Sequence, residues 1–269
     1  MVSVVLPRLI SFEGAPRRSA SVTERNIAAL RSAYWLVLIS GFFEPLLYLF
    51  SIGVGVGALI GDITLPTGEV VTYAAFVAPA MLASSAMTGA LSETTFNFFG
   101  KLKYMKLYDG ILNTPVQPFE IALGELAWAM LRGTLYSAAF LGVMVAMDLT
   151  TPARALAAFP AAVLVGFAFG ALGMALSTYM RSWQDFDLMG SIQFTLFLFS
   201  GTFVPAEAYP ALLRWLVEVT PLYRAVDLLR GISASGTGWL QLVDVLYLVA
   251  ATGLGLMVAA RRMGRLLYR

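Results

Sequence analysis

Apolar side chains run in long, nearly unbroken stretches along this chain, separated by short polar segments. Six stretches approach or exceed the roughly 20 residues a helix needs to cross about 30 Å of hydrocarbon. They cover residues 33–60, 72–98, 119–147, 155–180, 187–204 and 239–260. The pattern predicts an all-α integral membrane protein with six transmembrane helices, because only helices and closed barrels satisfy their backbone groups within lipid. Gly61 to Glu69 reads as a polar turn, and the loop 100–118 holds three lysines and two prolines. Asp148 to Arg154 and Arg181 to Asp187 read as two further short connections.

One segment breaks this rhythm. Residues 200–231, SGTFVPAEAYPALLRWLVEVTPLYRAVDLLRG, carry Pro205, Pro210 and Pro221 and six charged side chains. Pro221 cuts the segment into helical pieces of roughly 22 and 14 Å, each too short to cross a bilayer. Arg214 and Glu218 lie four residues apart, and Arg224, Asp227 and Arg230 recur every three, so each piece has one polar face. A pair of short helices entering and leaving the outer leaflet fits this pattern; an amphipathic surface loop is the competing reading. Broken backbone at membrane depth needs protein or a water-filled cavity to satisfy it.

Positive charge sets the orientation. Arg8, Arg17, Arg18, Arg25 and Arg31 lie in the arm 1–32, Lys101, Lys103 and Lys106 in the loop 100–118, Arg181 in the next inner loop, and four arginines in the tail 261–269. These thirteen face Arg154, Arg214, Arg224 and Arg230 on the other side, so both termini are expected in the cytoplasm. A seventh span over 206–230 would place the tail outside, against this bias. The N-terminus MVSVVLPRLISFEGAPRRSA does not read as a signal peptide, since Pro7 interrupts its short apolar stretch and the charges follow it.

Composition narrows the chemistry. Of 269 residues, 59% are hydrophobic and 13% charged, with mean hydropathy +0.77, against about 25% charged in soluble domains. A net charge of +2 gives no reason to expect nucleic acid. Cysteine and histidine are absent, which removes disulfides, thiolate metal sites and the usual neutral-pH proton shuttle. No G-x-x-x-x-G-K-[ST] motif and no Ser/His/Asp set occurs. No catalytic or metal site is expected, and energy for any work would come from another chain or an ion gradient.

Four features remain as carriers of function. The loop Phe99 to Trp128 reads as a basic helix over Lys101–Tyr108, ended by Asp109-Gly110, then turns at Pro115 and Pro118. Its tyrosines Tyr104 and Tyr108 and its methionine Met105 would suit a groove on a soluble partner, with Lys101, Lys103, Lys106 and Asp109 beside them, or the lysines serve only as anchors. In the arm, Ser21-x-x-Glu24 predicts a capping box for a helix with Arg25, Ile27 and Arg31, apolar on one side and basic on the other. Glu44, Glu93, Glu125 and Arg132 fall inside spans, where ionisable groups face a bundle interior or cavity. Glu125 and Arg132 lie two helical turns apart and are expected in one polar network; Glu93 is expected near the cytoplasmic interface. Gly53, Gly57, Gly61, Gly166 and Gly170 have the spacing that lets helices approach closely. No internal repeat supports an inverted-repeat transporter.

Three stretches carry a resemblance: EPLLYLFSIGVGVG (44–57), YDGILNTPVQPFEIALGELAW (108–128) and FLFSGTFVPAEAYPALLRWLVEVTPLYRAVDLLRG (197–231). With the six-span plan, they make the chain resemble the permease subunits of ABC-2 type exporters, most closely the branch of the nodulation protein NodJ and the daunorubicin-resistance permeases. The resemblance implies a homodimer of six-span subunits working with two copies of a separate ATP-binding subunit, which would carry the ATP and Mg. It implies a coupling helix from Lys101 to about Asn113, an interface helix over about Val22 to Arg31, and re-entrant helices over Ala206 to Leu229 within the segment 205–231. It implies outward export of a lipid-linked saccharide, drug or other amphiphile across the bacterial plasma membrane, by a chain that is not itself an enzyme. Ion-coupled secondary transport through Glu44, Glu125 and Arg132, or a scaffold without transport, are the alternatives.

Overall fold

The computed structural model describes residues 15–29, 43, 46–47, 49–64, 68, 70–234 and 239–267. Arg31, Glu44 and most of the first expected span ahead of Leu49 lie outside the described residues.

The N-terminal helix α1 covers Ala15–Ala29. A π-helical run, Leu49–Val56, continues into α2, Gly57–Ile60. The polar turn after it is a two-stranded antiparallel hairpin, β1 (Asp62–Thr64) and β2 (Val70–Thr72), in the register Ile63 opposite Val71. These strands are the small departure from an all-α chain.

Helix α3 (Tyr73–Ser92) starts where the Thr72 hydroxyl accepts from the Ala75 N–H at 3.3 Å. Its helical path runs on through π turns at Glu93–Asn97 and Gly100–Tyr104, so the apolar rod spans Tyr73–Tyr104. A short helix, α4 (Leu107–Ile111), follows. Helix α5 (Pro118–Ala146) opens on a capping box between Gln117 and Glu120 with Pro118 at its first position. Helix α6 (Pro152–Ser177) opens on Thr151, whose hydroxyl accepts from the Arg154 N–H at 3.3 Å. Helices α7 (Asp185–Leu198), α8 (Ala211–Val219), α9 (Pro221–Ala234) and α10 (Trp239–Leu267) complete the chain.

The alanine-rich α6 is the hub of the bundle and packs on α3, α5, α9 and α10. Small side chains there (Ala158, Ala162, Ala168, Ala171) are fully or almost fully buried, so neighbouring backbones come close. The tightest approach of one helix backbone to another involves residues the GxxxG reading did not single out. A Cβ on Gly255 of α10 would stand 2.6 Å from the Ala171 carbonyl carbon. Gly166 and Gly170 do serve a crossing, against Met130 and Leu126 of α5.

Among the described residues, four helices are long and apolar enough to cross a membrane: Tyr73–Tyr104, Pro118–Ala146, Pro152–Ser177 and Gln241–Leu267. With the mostly helical fold, they mark an integral membrane protein. The expected fifth span is shorter than its apolar run. Helix α7 has 14 residues, roughly 21 Å of rod. The chain then turns at Gly201, whose φ of 71° lies in the left-handed region, beside a 2.6 Å hydrogen bond between the Ser200 and Thr202 hydroxyls.

The proline-rich segment is two helices broken at Thr220–Pro221, as expected, but with their lengths reversed: nine residues in α8 and fourteen in α9. Pro205 and Pro210 flank a single 3₁₀ turn, Ala206–Ala208, rather than belonging to the first helix. The two helices also differ in surroundings. Leu222, Val226, Leu228 and Leu229 of α9 are buried against α3, α6 and α10, whereas Leu212, Trp215 and Leu216 of α8 are exposed.

Candidate functional site

The basic loops gather at one end of the bundle. Tyr104, at the foot of α3, stacks on Trp183 with ring centroids 5.4 Å apart. Trp183 in turn meets Phe99 and Phe186, at 5.3 and 5.4 Å. The Arg262 guanidinium of α10 sits over the Tyr179 ring at 4.2 Å. Helix α1 lies against α5 at the same end.

Glu125 is the centre of this end. Its carboxylate is 5% exposed and accepts from Lys101 Nζ at 2.6 Å, Arg25 Nη2 at 3.0 Å and Asn26 Nδ2 at 3.0 Å. Lys101 and Arg25 also reach Asn26 Oδ1, at 3.2 and 2.8 Å. One turn earlier, Glu120 pairs with Arg18 at 2.8 Å while its other oxygen accepts from the Gln117 N–H. Three chain segments, α1, the end of α3 and the start of α5, are thus fastened at one node. A buried carboxylate with two cationic donors is costly to strip of either partner.

Helix α1 can reach this node because of Gly124. Its α carbon faces the crossing point, where a Cβ would lie 2.7 Å from both the Ser19 carbonyl oxygen and Val22 Cβ. The Thr23 hydroxyl donates to the Gly124 carbonyl at 3.1 Å, across the same crossing.

Two expectations for α1 are corrected. The helix begins at Ala15, so Ser21 is interior and its hydroxyl donates to the Arg17 carbonyl at 3.3 Å instead of capping. Pro16 suits a first turn, which draws the start upstream. Arg18 and Arg25 are turned toward Glu120 and Glu125 rather than to a polar outer face, while Glu24 is exposed.

The loop after α3 also differs from the single basic helix expected over Lys101–Tyr108. Lys101, Lys103 and Tyr104 belong to the end of the α3 rod, and the break falls at Lys106, with φ of 48°, rather than at Asp109-Gly110. The reversal turns Tyr108 inward onto Phe98, ring centroids 5.4 Å apart, where it is fully buried. Burial, reinforced by the adjacent Glu125 carboxylate, pushes the Tyr108 phenol well above its ordinary range. The face left to a partner is Lys103, Tyr104, Met105, Lys106 and Asp109, all exposed.

Glu125 and Arg132 do not share a network. Arg132 pairs instead with Glu93, which is 9% exposed, and its Nη2 donates to the Tyr136 hydroxyl at 3.2 Å. The π turn beginning at Glu93 brings its carboxylate across to α5. The Glu93 side chain is therefore buried within the bundle, between α3 and α5.

At the opposite end, Arg214 and Glu218 form an exposed ion pair at 2.6 Å. Arg224 reaches Asp244, a fully buried carboxylate of α10, at 3.3 Å. Arg230 lies 3.9 Å over the Phe76 ring and donates to the carbonyls of Phe76 and Gly201. Arg154 donates to the Ser233 carbonyl at 3.3 Å, joining the first turn of α6 to the end of α9. Asp244, Asn26 and Glu120 were passed over in the sequence. A lone aspartate within the apolar run 239–260 was a legible signal; Asn26 and Glu120 had none, since their roles depend on a helix crossing.

The chain is similar to known proteins along most of its length. A family model, ABC-2 type transporter, matches residues 20–234. Nodulation protein J of Rhizobium leguminosarum bv. trifolii is 33% identical over 213 residues, 79% of each chain. Nodulation protein J of Rhizobium meliloti (strain 1021) is 30% identical over 213 residues, again 79% of each. That of Azorhizobium caulinodans is 24% identical over 239 residues, 85% of this chain and 90% of its own.

Proposed function

Because the chain belongs to the ABC-2 type transporter family, we propose that it is the permease subunit of an ATP-driven exporter that moves an amphiphile outward across a bacterial plasma membrane. A lipid-linked saccharide or a drug is the cargo class this reading favours. Two copies of the chain pair with two copies of an ATP-binding subunit, which holds the ATP and Mg. Six spans with both termini cytoplasmic place the Glu125 end inside and put α8 and α9 in the outer leaflet as a re-entrant pair.

The observation that carries this reading is the Glu125 node. It ties α1 and the foot of α3 to α5 immediately beside the exposed face Lys103–Lys106 and Asp109. A push on that face by a closing ATPase moves three segments together. Coupling of this kind needs no proton-carrying group in the chain. The alternative, ion-coupled transport through Glu44, Glu125 and Arg132, would need these groups to change partners during transport, whereas Glu125 is bound by Lys101, Arg25 and Asn26 and Arg132 by Glu93.

The test is ATP turnover by the chain co-purified with its ATP-binding subunit and reconstituted in liposomes. Asp109→Ala, at an exposed position, is expected to lower cargo-stimulated turnover about tenfold without changing the yield of folded chain. Transport by the chain alone under a proton gradient would overturn the proposal.

A further inference from the structure

A cavity of about 390 Å³ opens at the end of the bundle opposite the Glu125 node, within the ~300–1,000 Å³ of small-molecule sites. Its polar lining is Asp148, Thr150, Arg154, Arg230 and Ser233, with Phe76 as its aromatic wall. Four separate elements supply these groups: α3, the α5–α6 connection, α6 and α9.

Two properties set it apart from an ordinary crevice. First, its two arginines have no direct ion pair. Neither Arg154 nor Arg230 has a carboxylate within ion-pairing distance among the described residues, although Asp148 shares the lining and Asp227 of α9 acts on Arg230 from farther away. Second, Thr150 Oγ1, Ser233 Oγ and Arg230 Nε are buried without a hydrogen-bond partner among the described residues. Thr150 and Ser233 are 9% and 7% exposed. Buried polar groups are nearly always satisfied, so a cluster of three on one lining points to an acceptor-rich group. The N-terminus of α6, at Thr151–Pro152, adds a partial positive charge there.

We propose that this cavity binds a phosphate group bearing one negative charge. The remaining lining is mainly aliphatic (Val71, Val145 and Leu149 among it), which favours the phosphodiester headgroup of a membrane lipid over the free ion. Arg154 is exposed and its guanidinium already donates to the Ser233 carbonyl at the rim. Arg230 is preorganised by the Phe76 ring and two carbonyls and presents charge from a fixed position. The site requires neither a direction of transport nor a particular cargo, so it stands apart from the function proposed above.

Titration calorimetry of the detergent-purified full chain tests it, with short-chain phosphatidylglycerol and inorganic phosphate as separate probes. Native mass spectrometry of the same samples counts retained phosphatidylglycerol. Short-chain phosphatidylglycerol is expected to bind, and Arg154→Gln and Arg230→Lys each to weaken it by about tenfold. Arg181→Gln, at the other end of the bundle, leaves binding unchanged. Arg154 is exposed, so its variant reads binding without risk to the fold. Inorganic phosphate binding as tightly as the lipid, with the same arginine dependence, supports the anion site and overturns the headgroup as its source. No binding of either probe, or equal binding by wild type and Arg154→Gln, overturns the proposal.

Discussion

Gly124→Ala isolates the docking of α1 in one methyl group. The new Cβ would stand 2.7 Å from the Ser19 carbonyl oxygen and from Val22 Cβ, where contacts normally settle at about 3.5–4.0 Å. Both obstacles belong to the backbone or the base of a β-branched side chain, so neither can rotate away. Helix α1 must retreat by about 1 Å, which stretches the 3.1 Å Thr23–Gly124 bond beyond hydrogen-bonding range. Overpacking of this kind costs about 1–3 kcal/mol. That cost has a ceiling, because α1 can lift off α5 once the clash exceeds the docking energy.

Trypsin reads the result directly, since α1 carries Arg25 at the node. Cleavage that depends on local opening tracks the open population, so the rate at Arg25 should rise about 5-fold to about 150-fold at ~1.4 kcal/mol per factor of ten. Gly142→Ala, in the same helix with nothing within 4 Å of its Cβ, is the matched control. Equal cleavage at Arg25 in wild type, Gly124→Ala and Gly142→Ala would refute the crossing.

Two further outcomes follow from buried and capping charges. Arg132→Ala strands the Glu93 carboxylate within the bundle and should cost about 3 kcal/mol, seen as a lower apparent Tm in detergent; the double variant Glu93→Gln/Arg132→Gln should recover part of it. Asp185 accepts from the backbone N–H groups of Arg181 (2.6 Å) and Ser182 (3.3 Å), which lowers its pKa from the ordinary 3.8. A depressed folded pKa means that its stabilisation is complete above the unfolded value and is lost as pH falls through the folded one. The Tm difference between wild type and Asp185→Asn should therefore hold constant from about pH 5 to about pH 8 and shrink below about pH 4.

The apolar runs told most of the fold, because a bilayer-length helix declares itself by composition alone. Spans two, three, four and six stand where hydropathy put them, with ends at Thr72, Gln117 and Thr151 that the cap chemistry explains. The shortened α7 was not read from the sequence, since Ser200-Gly201-Thr202 interrupts the apolar run only briefly and the left-handed backbone of Gly201 is what reveals the turn. The ionisable residues 93, 125 and 132 were visible as unusual, but their partners were not. Helical periodicity suggested that Glu125 and Arg132 belong together, and it failed because each found a better partner on another segment. Such pairings depend on crossings set by Gly124 and by the π turn at Glu93, which sequence spacing along one helix does not encode.

That π turn also fixes an angle. A π turn accommodates one residue more than an α turn, so the stretch after Glu93–Asn97 is rotated by about 100° relative to a regular continuation of the first half of α3, ahead of a second π turn at Gly100–Tyr104. The rod acts as a shaft with a phase offset at Glu93–Asn97. Its outer half faces the alanine hub, and its foot is clocked so that Lys101 meets Glu125 and Tyr104 meets Trp183. Loss of a single residue within 93–97 would turn the foot out of phase while leaving the hub contacts of the outer half in place, much as a slipped gear tooth disengages one end of a shaft.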